Sequence, residues 1–147
     1  MQIGIRNMDG TMSDVSEFRS VGSTVNTDYT IADPDILIVT PRPKSIDNPE
    51  LARINVEFQT GYARKVGKQC AVVVVMSNLL AQDAQTRRIY TEGIVAPLFY
   101  GVALVVGNPL SRAIGSFFMG LSRPQLETKM FDSVESAVDW LRTIRPE

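Results

Sequence analysis

The chain has 147 residues, 44% hydrophobic and 21% charged, with a net charge of −1. That suits one soluble globular domain with a single sizeable core, and it offers no bulk basicity for nucleic acid. One cysteine, Cys70, and no histidine exclude an intramolecular disulfide, Ser–His and Cys–His nucleophile pairs and ordinary zinc sites.

Taken in chain order, residues 1–23 are polar, with Gly10, Gly22 and several Ser and Thr, and read as an N-terminal extension. The domain proper is expected over 24–147. Residues 1–35 hold two Arg against six acids, so the N-terminal part is acidic and the remainder basic. The opening MQIGIRNMDGTMSDVSEF lacks the basic-then-apolar order of a signal peptide, and the cytoplasm is the expected compartment.

Val25 to Ile31 alternates, Ile36-Leu37-Ile38-Val39 is a short apolar run, and Asp33-Pro34-Asp35 between them predicts a hairpin. Asn48-Pro49-Glu50 opens a helix that Gly67 stops. Leu51, Ile54, Phe58, Tyr62 and Val66 follow at helical intervals as its apolar stripe. Cys70 to Met76 reads as a doubly buried strand, followed by Ser77-Asn78 and a helix from about Gln82 to Glu92.

From Gly93 to Ser111 there is no charged residue. A membrane span needs about 20 unbroken apolar residues. Pro97, Gly101, Gly107, Asn108 and Pro109 break this run. It divides into a buried strand, Tyr100–Val106, and a helix from Pro109 to Leu121 with Asn108 as N-cap. Glu127–Phe131 is expected as an edge strand. Asp132 or Ser133 then caps a last helix with Val134, Ala137, Val138, Leu141 and Ile144 on its apolar face.

The order is β-β-α-β-α-β-α-β-α. It predicts an α/β fold with a single-layer mixed sheet of four to five strands, the two uniformly apolar strands central. In such sheets ligands gather beyond the strand carboxyl ends, where helix N-termini suit an anion. Arg42, Ser77, Asn78, Asn108, Ser111 and Arg112 are therefore the candidate partner- or anion-binding residues. Asn108 reads equally as a simple cap, and Arg112 as a solvated first-turn residue. Phe117 and Phe118 cannot share one narrow stripe, which points to a homodimer contact or an apolar pocket. Cys70, inside an apolar strand, is expected to be inert.

The run VALVVGNPLSRAIGSFFMGLSRPQLETKMFDSVESAVDWL carries a resemblance. Its apolar strand ending in Gly, its Pro-Leu-Ser-Arg helix start, its Phe-Phe-x-Gly-Leu segment and its closing Phe-x-Ser-x-Glu-x-Ala-x-x-Trp-Leu are similar to a family of small bacterial proteins. That family has the STAS-like (SpoIIAA-like) fold of anti-sigma-factor antagonists, a fold shared broadly with lipid-transfer domains of the CRAL-TRIO type. In the antagonists a Ser or Thr at a helix start is phosphorylated by a partner kinase. The corresponding stretch here, Ser77 to Thr86, lacks the Asp-Ser-Ser-Gly pattern, leaving Ser77 as the candidate acceptor.

The resemblance and the missing catalytic groups together imply a non-enzymatic interaction or regulatory module with a protein partner and no cofactor or metal. The alternative is a carrier of a small amphipathic ligand or lipid, held between the Phe117/Phe118 helix and the sheet. Fold alone decides neither.

Overall fold

The computed structural model describes residues 18–119 and 126–147. It is an α/β fold with four helices and a six-stranded mixed sheet. Along the chain come β1 (Arg19–Ser23), β2 (Thr27–Asp33), β3 (Ile36–Pro41), β4 (Ser45–Ile46), α1 (Pro49–Val66) and β5 (Cys70–Val75). After a 3₁₀ turn, Met76–Asn78, follow β6 (Leu79–Ala81), α2 (Ala84–Gly93), β7 (Phe99–Val105), α3 (Pro109–Met119), β8 (Glu127–Phe131) and α4 (Val134–Ile144). Among the described residues no helix is long and apolar enough to cross a membrane.

The main sheet runs β1-β2-β3-β5-β7-β8. The first three strands form an antiparallel meander; β3, β5, β7 and β8 are parallel. The parallel strands advance across the sheet in one direction. Right-handed crossovers then carry their connecting helices over the same face. Accordingly the side chains of α1, α2 and α3 join a core with Tyr29, Leu37, Val39, Val72, Val102 and Leu104. The last helix, α4, covers the opposite face. There Val134, Ala137, Val138 and Leu141 pack on Ile36, Ile38, Val73, Ala103 and Val105. Both faces of β5 and β7 are thus covered, as their unbroken apolar sequences require.

The caps follow the sequence. Asn48 accepts from Leu51 N, Ser133 from Ser136 N, and Gly67 ends α1 at φ +85°, a left-handed conformation that favours glycine. The hairpin of β2 and β3 and the edge position of β8 also match expectation.

Three expectations need correction. The main sheet has six strands rather than four to five, because β1 pairs with β2. That strand lies inside the segment assigned above to the N-terminal extension; residues 1–17 are outside the described residues. A separate parallel pair, β4 with β6, adds a second small sheet. Finally, the apolar stripe is not the buried face of α1. That face is Ala52, Asn55, Gln59, Thr60 and Ala63, while Ile54 is 36% exposed. Small Ala52 and Ala63 let the helix approach the sheet closely. The larger side chains flank it: Phe58 stacks on Tyr29 with ring centroids 4.1 Å apart, and Tyr62 Oη donates to the Pro34 carbonyl.

The end of α4 is locked to the β2–β3 turn by charge. Arg142 meets both oxygens of Asp33 at 2.9 and 3.0 Å, and Arg145 both oxygens of Asp35 at 2.9 and 3.0 Å. Arg145 also reaches Asp33, and Tyr100 Oη donates to Asp35. Such two-point pairs are the strong form of the interaction. Hydrogen bonds from Arg142, and then Arg145, hold the Asp33 carboxyl down at about 2. A depressed carboxylate stabilises the fold above its unfolded pKa, and that contribution drains as pH falls toward its folded one. Stability is therefore expected to fall between about pH 4 and pH 2. Asp33→Asn should cost about 1–2 kcal/mol at pH 7 and flatten this acid limb in urea unfolding. An unchanged acid limb would contradict the clamp.

Candidate functional site

The edge predicted from the sequence is where it was expected, at the carboxyl ends of β3, β5, β7 and β8, but its polar groups are largely used internally. Asn108 caps α3: its Oδ1 accepts from Ser111 N at 2.8 Å, and its Nδ2 donates to the Ser77 carbonyl. Ser111 is fully buried. Its Oγ accepts from the backbone of Gly107 and Asn108 and donates to the Asn108 carbonyl. Gly107 sits closely against Ser77, to which an added Cβ would come within 3.4 Å.

Asn78 Nδ2 donates to the Pro41 carbonyl at 2.6 Å. Arg112 is exposed and pairs with Asp132 at 3.3 Å. Arg42 is drawn away from the others: its guanidinium holds the Thr24 and Val25 carbonyls and the Asp28 carboxylate. The structure thus brings Ser77, Asn108 and Ser111 together. Asn78 is held against β3, Arg112 against Asp132, and Arg42 serves the β1–β2 hairpin. Cys70 is fully buried, and burial pushes its thiol up to about 11, away from reactivity.

A different site lies on the helix-covered side of the sheet. Its floor is Val39, Val72, Val74, Val102, Leu104 and Thr128, one side chain from every second position of four strands. Met76, Leu79, Ile94 and Phe118 close its sides. The helices crossing above leave a cavity that is open in part to solvent. Phe118, buried on α3, is thus a pocket residue. The side chain of Phe117 lies outside the described residues, as do Gly120 and Leu121 at the expected helix end.

One end of this cavity is polar: Asn26, Thr27, Asp47, Gln59, Gln82 and Tyr90. Behind it stands Asn55, 1% exposed. Its Oδ1 accepts from Tyr29 Oη at 2.7 Å and from Thr24 Oγ1, and its Nδ2 donates to Asn26 Oδ1 and Tyr90 Oη. Tyr29 Oη in turn accepts from Gln59 Nε2. Asp47 takes three donors: Tyr90 Oη at 2.8 Å, Gln82 Nε2 at 3.0 Å and Asn48 N at 3.0 Å. Burial raises the pKa of Asp47, and its hydrogen bonds oppose that shift. Burial also raises Tyr29 and Tyr90, the Asp47 charge adding to the shift at Tyr90, so both phenols remain protonated donors.

Sequence periodicity did not reveal this cluster. Asn55 and Gln59 are four apart on α1 and share a face with Ala52 and Ala63. Two small residues bracketing two amides on one helical face was the available signal, and the stronger apolar stripe beside it masked it. Among the described residues no group of three or more Cys, Asp or Glu is placed to hold a metal ion.

A family model described as a domain of unknown function, DUF7793, matches residues 29–145. The chain belongs to that family. The DUF7793 match runs from Tyr29, in the polar network, to Arg145, in the clamp on α4. It includes every polar residue of the cavity end except Asn26 and Thr27. No curated protein and no solved structure matches the chain.

Removing Asn55 takes away the acceptor of the Tyr29 and Thr24 hydroxyls and a donor to the Asn26 and Tyr90 oxygens. Asn55→Ala is expected to cost about 2–3 kcal/mol in urea unfolding, the penalty of stranded buried polar groups. Asn108→Ala, which removes a cap and one exposed bond to the Ser77 carbonyl, should cost about 1 kcal/mol. Equal costs at the two positions would contradict the ranking.

Proposed function

We propose that this domain is a non-enzymatic binder of a small, largely apolar molecule carrying one polar group, held between the sheet and α1–α3. The observation that carries this reading is the character of the cavity: apolar on its floor and sides with a few polar groups gathered at one end, the pattern of small-molecule sites. The described wall contains no Ser, Cys or Lys, and its Thr27 and Thr128 hydroxyls donate to Asn26 Oδ1 and the Leu126 carbonyl. Its one carboxylate already holds three donors, an arrangement for orientation rather than for proton transfer.

Regulation by a docked protein at the strand-carboxyl edge is the second reading. It is favoured by the exposed Arg112–Asp132 pair and the exposed Leu110 beside it. The cavity reading stands first because Ser111 and Asn108 spend their polar groups on the corner itself. A STAS-like kinship is compatible with either reading. The alternation of β2, β3, β5, β7 and β8 with the four helices supports it.

The test is a cavity-filling substitution. Val74 is half-buried in β5 and faces the space. N-Phenyl-1-naphthylamine, an uncharged fluorescent probe, should bind the wild-type protein with a blue shift. In Val74→Phe, binding should drop roughly tenfold or more while the thermal midpoint holds or rises, because the new ring occupies empty space. Probe binding that is absent in the wild type, or undiminished in Val74→Phe, would contradict the reading.

A further inference from the structure

The polar end of the cavity has a direction. Thr27, Gln59, Gln82 and Tyr90 each donate to a partner within the protein, and the two glutamine oxygens are left over. Asp47 is a carboxylate, so Gln82 must turn Nε2 toward it; the amide Oε1 is then buried without a partner. Tyr29 Oη gives its hydrogen to Asn55 Oδ1, so it can only accept from Gln59, which must present Nε2. Gln59 is 2% exposed and makes no other side-chain hydrogen bond among the described residues, so its Oε1 also lacks a donor. Tyr90 gives its hydrogen to Asp47.

The cavity end therefore presents two amide oxygens without a donor beside the Asp47 carboxylate, and the buried Gln82 Oε1 costs free energy until a donor arrives. No Lys or Arg is in the described wall. Arg87, on α2, lies outside it and gives Nη1 to the Gln82 backbone carbonyl. Arg42 faces the β1–β2 hairpin.

We infer that the ligand's polar group is a hydrogen-bond donor without negative charge, a hydroxyl or an amine, bound through Gln59 Oε1, Gln82 Oε1 and Asp47. The inference rests on the cavity reading above and adds the ligand class to it. Acidic head groups such as fatty carboxylates and phosphates are disfavoured twice. They bring no donor for the waiting oxygens, and they place like charge beside Asp47 in a poorly solvated space.

The experiment is competition against N-phenyl-1-naphthylamine on the full chain by three probes of one chain length: 1-octanol, octylamine and octanoate, at pH 8. At that pH the amine is largely cationic and the acid anionic. Octanol and octylamine are expected to displace the probe about tenfold or more better than octanoate, the scale of one uncompensated buried polar group. If the donor is an alcohol, octanol leads; if an amine, octylamine does. Octanoate displacing as well as either overturns the inference while leaving the cavity reading intact. Failure of the fluorescent probe to bind overturns both.

Gln59→Leu and Gln82→Leu distinguish head recognition from chain burial. Both keep the wall volume, and neither removes a donor on which Asn55 depends. In each variant, folded by circular dichroism, the octanol-to-octanoate ratio should shrink several-fold. A ratio unchanged in both would contradict the assignment of these oxygens.

Discussion

A polar residue placed at a helix–sheet contact must have its hydrogen bonds satisfied where it stands, and Asn55 is that residue here. It bonds to the β1–β2 loop through Thr24 and Asn26, to β2 through Tyr29 and to α2 through Tyr90. Hydrophobic burial is indifferent to direction; these bonds are not. They set the angle and depth at which α1 lies on the meander. Through Tyr90 and Asp47 they also fix where the β3–α1 connection passes. The shape of the neighbouring cavity follows from that placement.

The sheet supplies the complementary constraint. A one-way advance of parallel strands puts three helices over one face and leaves α4 alone on the other. The α4 face is closed by close contact: Gly101 admits Leu141 and Ile144 so tightly that an added Cβ would come within 2.9 Å of Leu141. On the crowded face, α1 and α2 pack closely, Gly93 lying against Val56. Yet the space between them and α3 is not filled. Val74, apolar and central in sequence, is only half-buried because it faces that space. Dense packing on one side and a lined void on the other, in one sheet, is the arrangement expected of a scaffold that holds a ligand.

How much of this was legible in the sequence depends on the range of the interaction. Caps at Asn48 and Ser133, the stop at Gly67 and the corner at Asn108-Pro109 are encoded within four residues and were readable. So were the two doubly buried strands, whose composition reflects both faces at once. The polar cluster was not. Its bonds join Asn55 to Tyr90, 35 positions on, and Tyr90 to Asp47, 43 positions back. Such pairings leave no period in the chain. Strand β1 was missed because an edge strand half in solvent, bent at Gly22 against Phe58, has no apolar alternation to show. The strand-end argument located a corner where Ser77, Asn108 and Ser111 meet, while Arg42 turns to the β1–β2 hairpin. What that argument could not supply was their hydrogen-bond partners, which decide whether a polar group is free to meet a ligand.

The account's central claim is that the space beneath α1, α2 and α3 admits a ligand chain. Isotope-filtered nuclear Overhauser spectroscopy of the labelled protein with unlabelled 1-octanol tests it most directly. The alkyl protons should show contacts to Val72, Val74, Val102, Leu104 and Phe118, on the one face of the sheet, with the carbinol end nearest Gln59 and Gln82. Contacts confined to Val73, Ala103 and Val105 beneath α4, or to the exposed Leu110 at the corner, would contradict it.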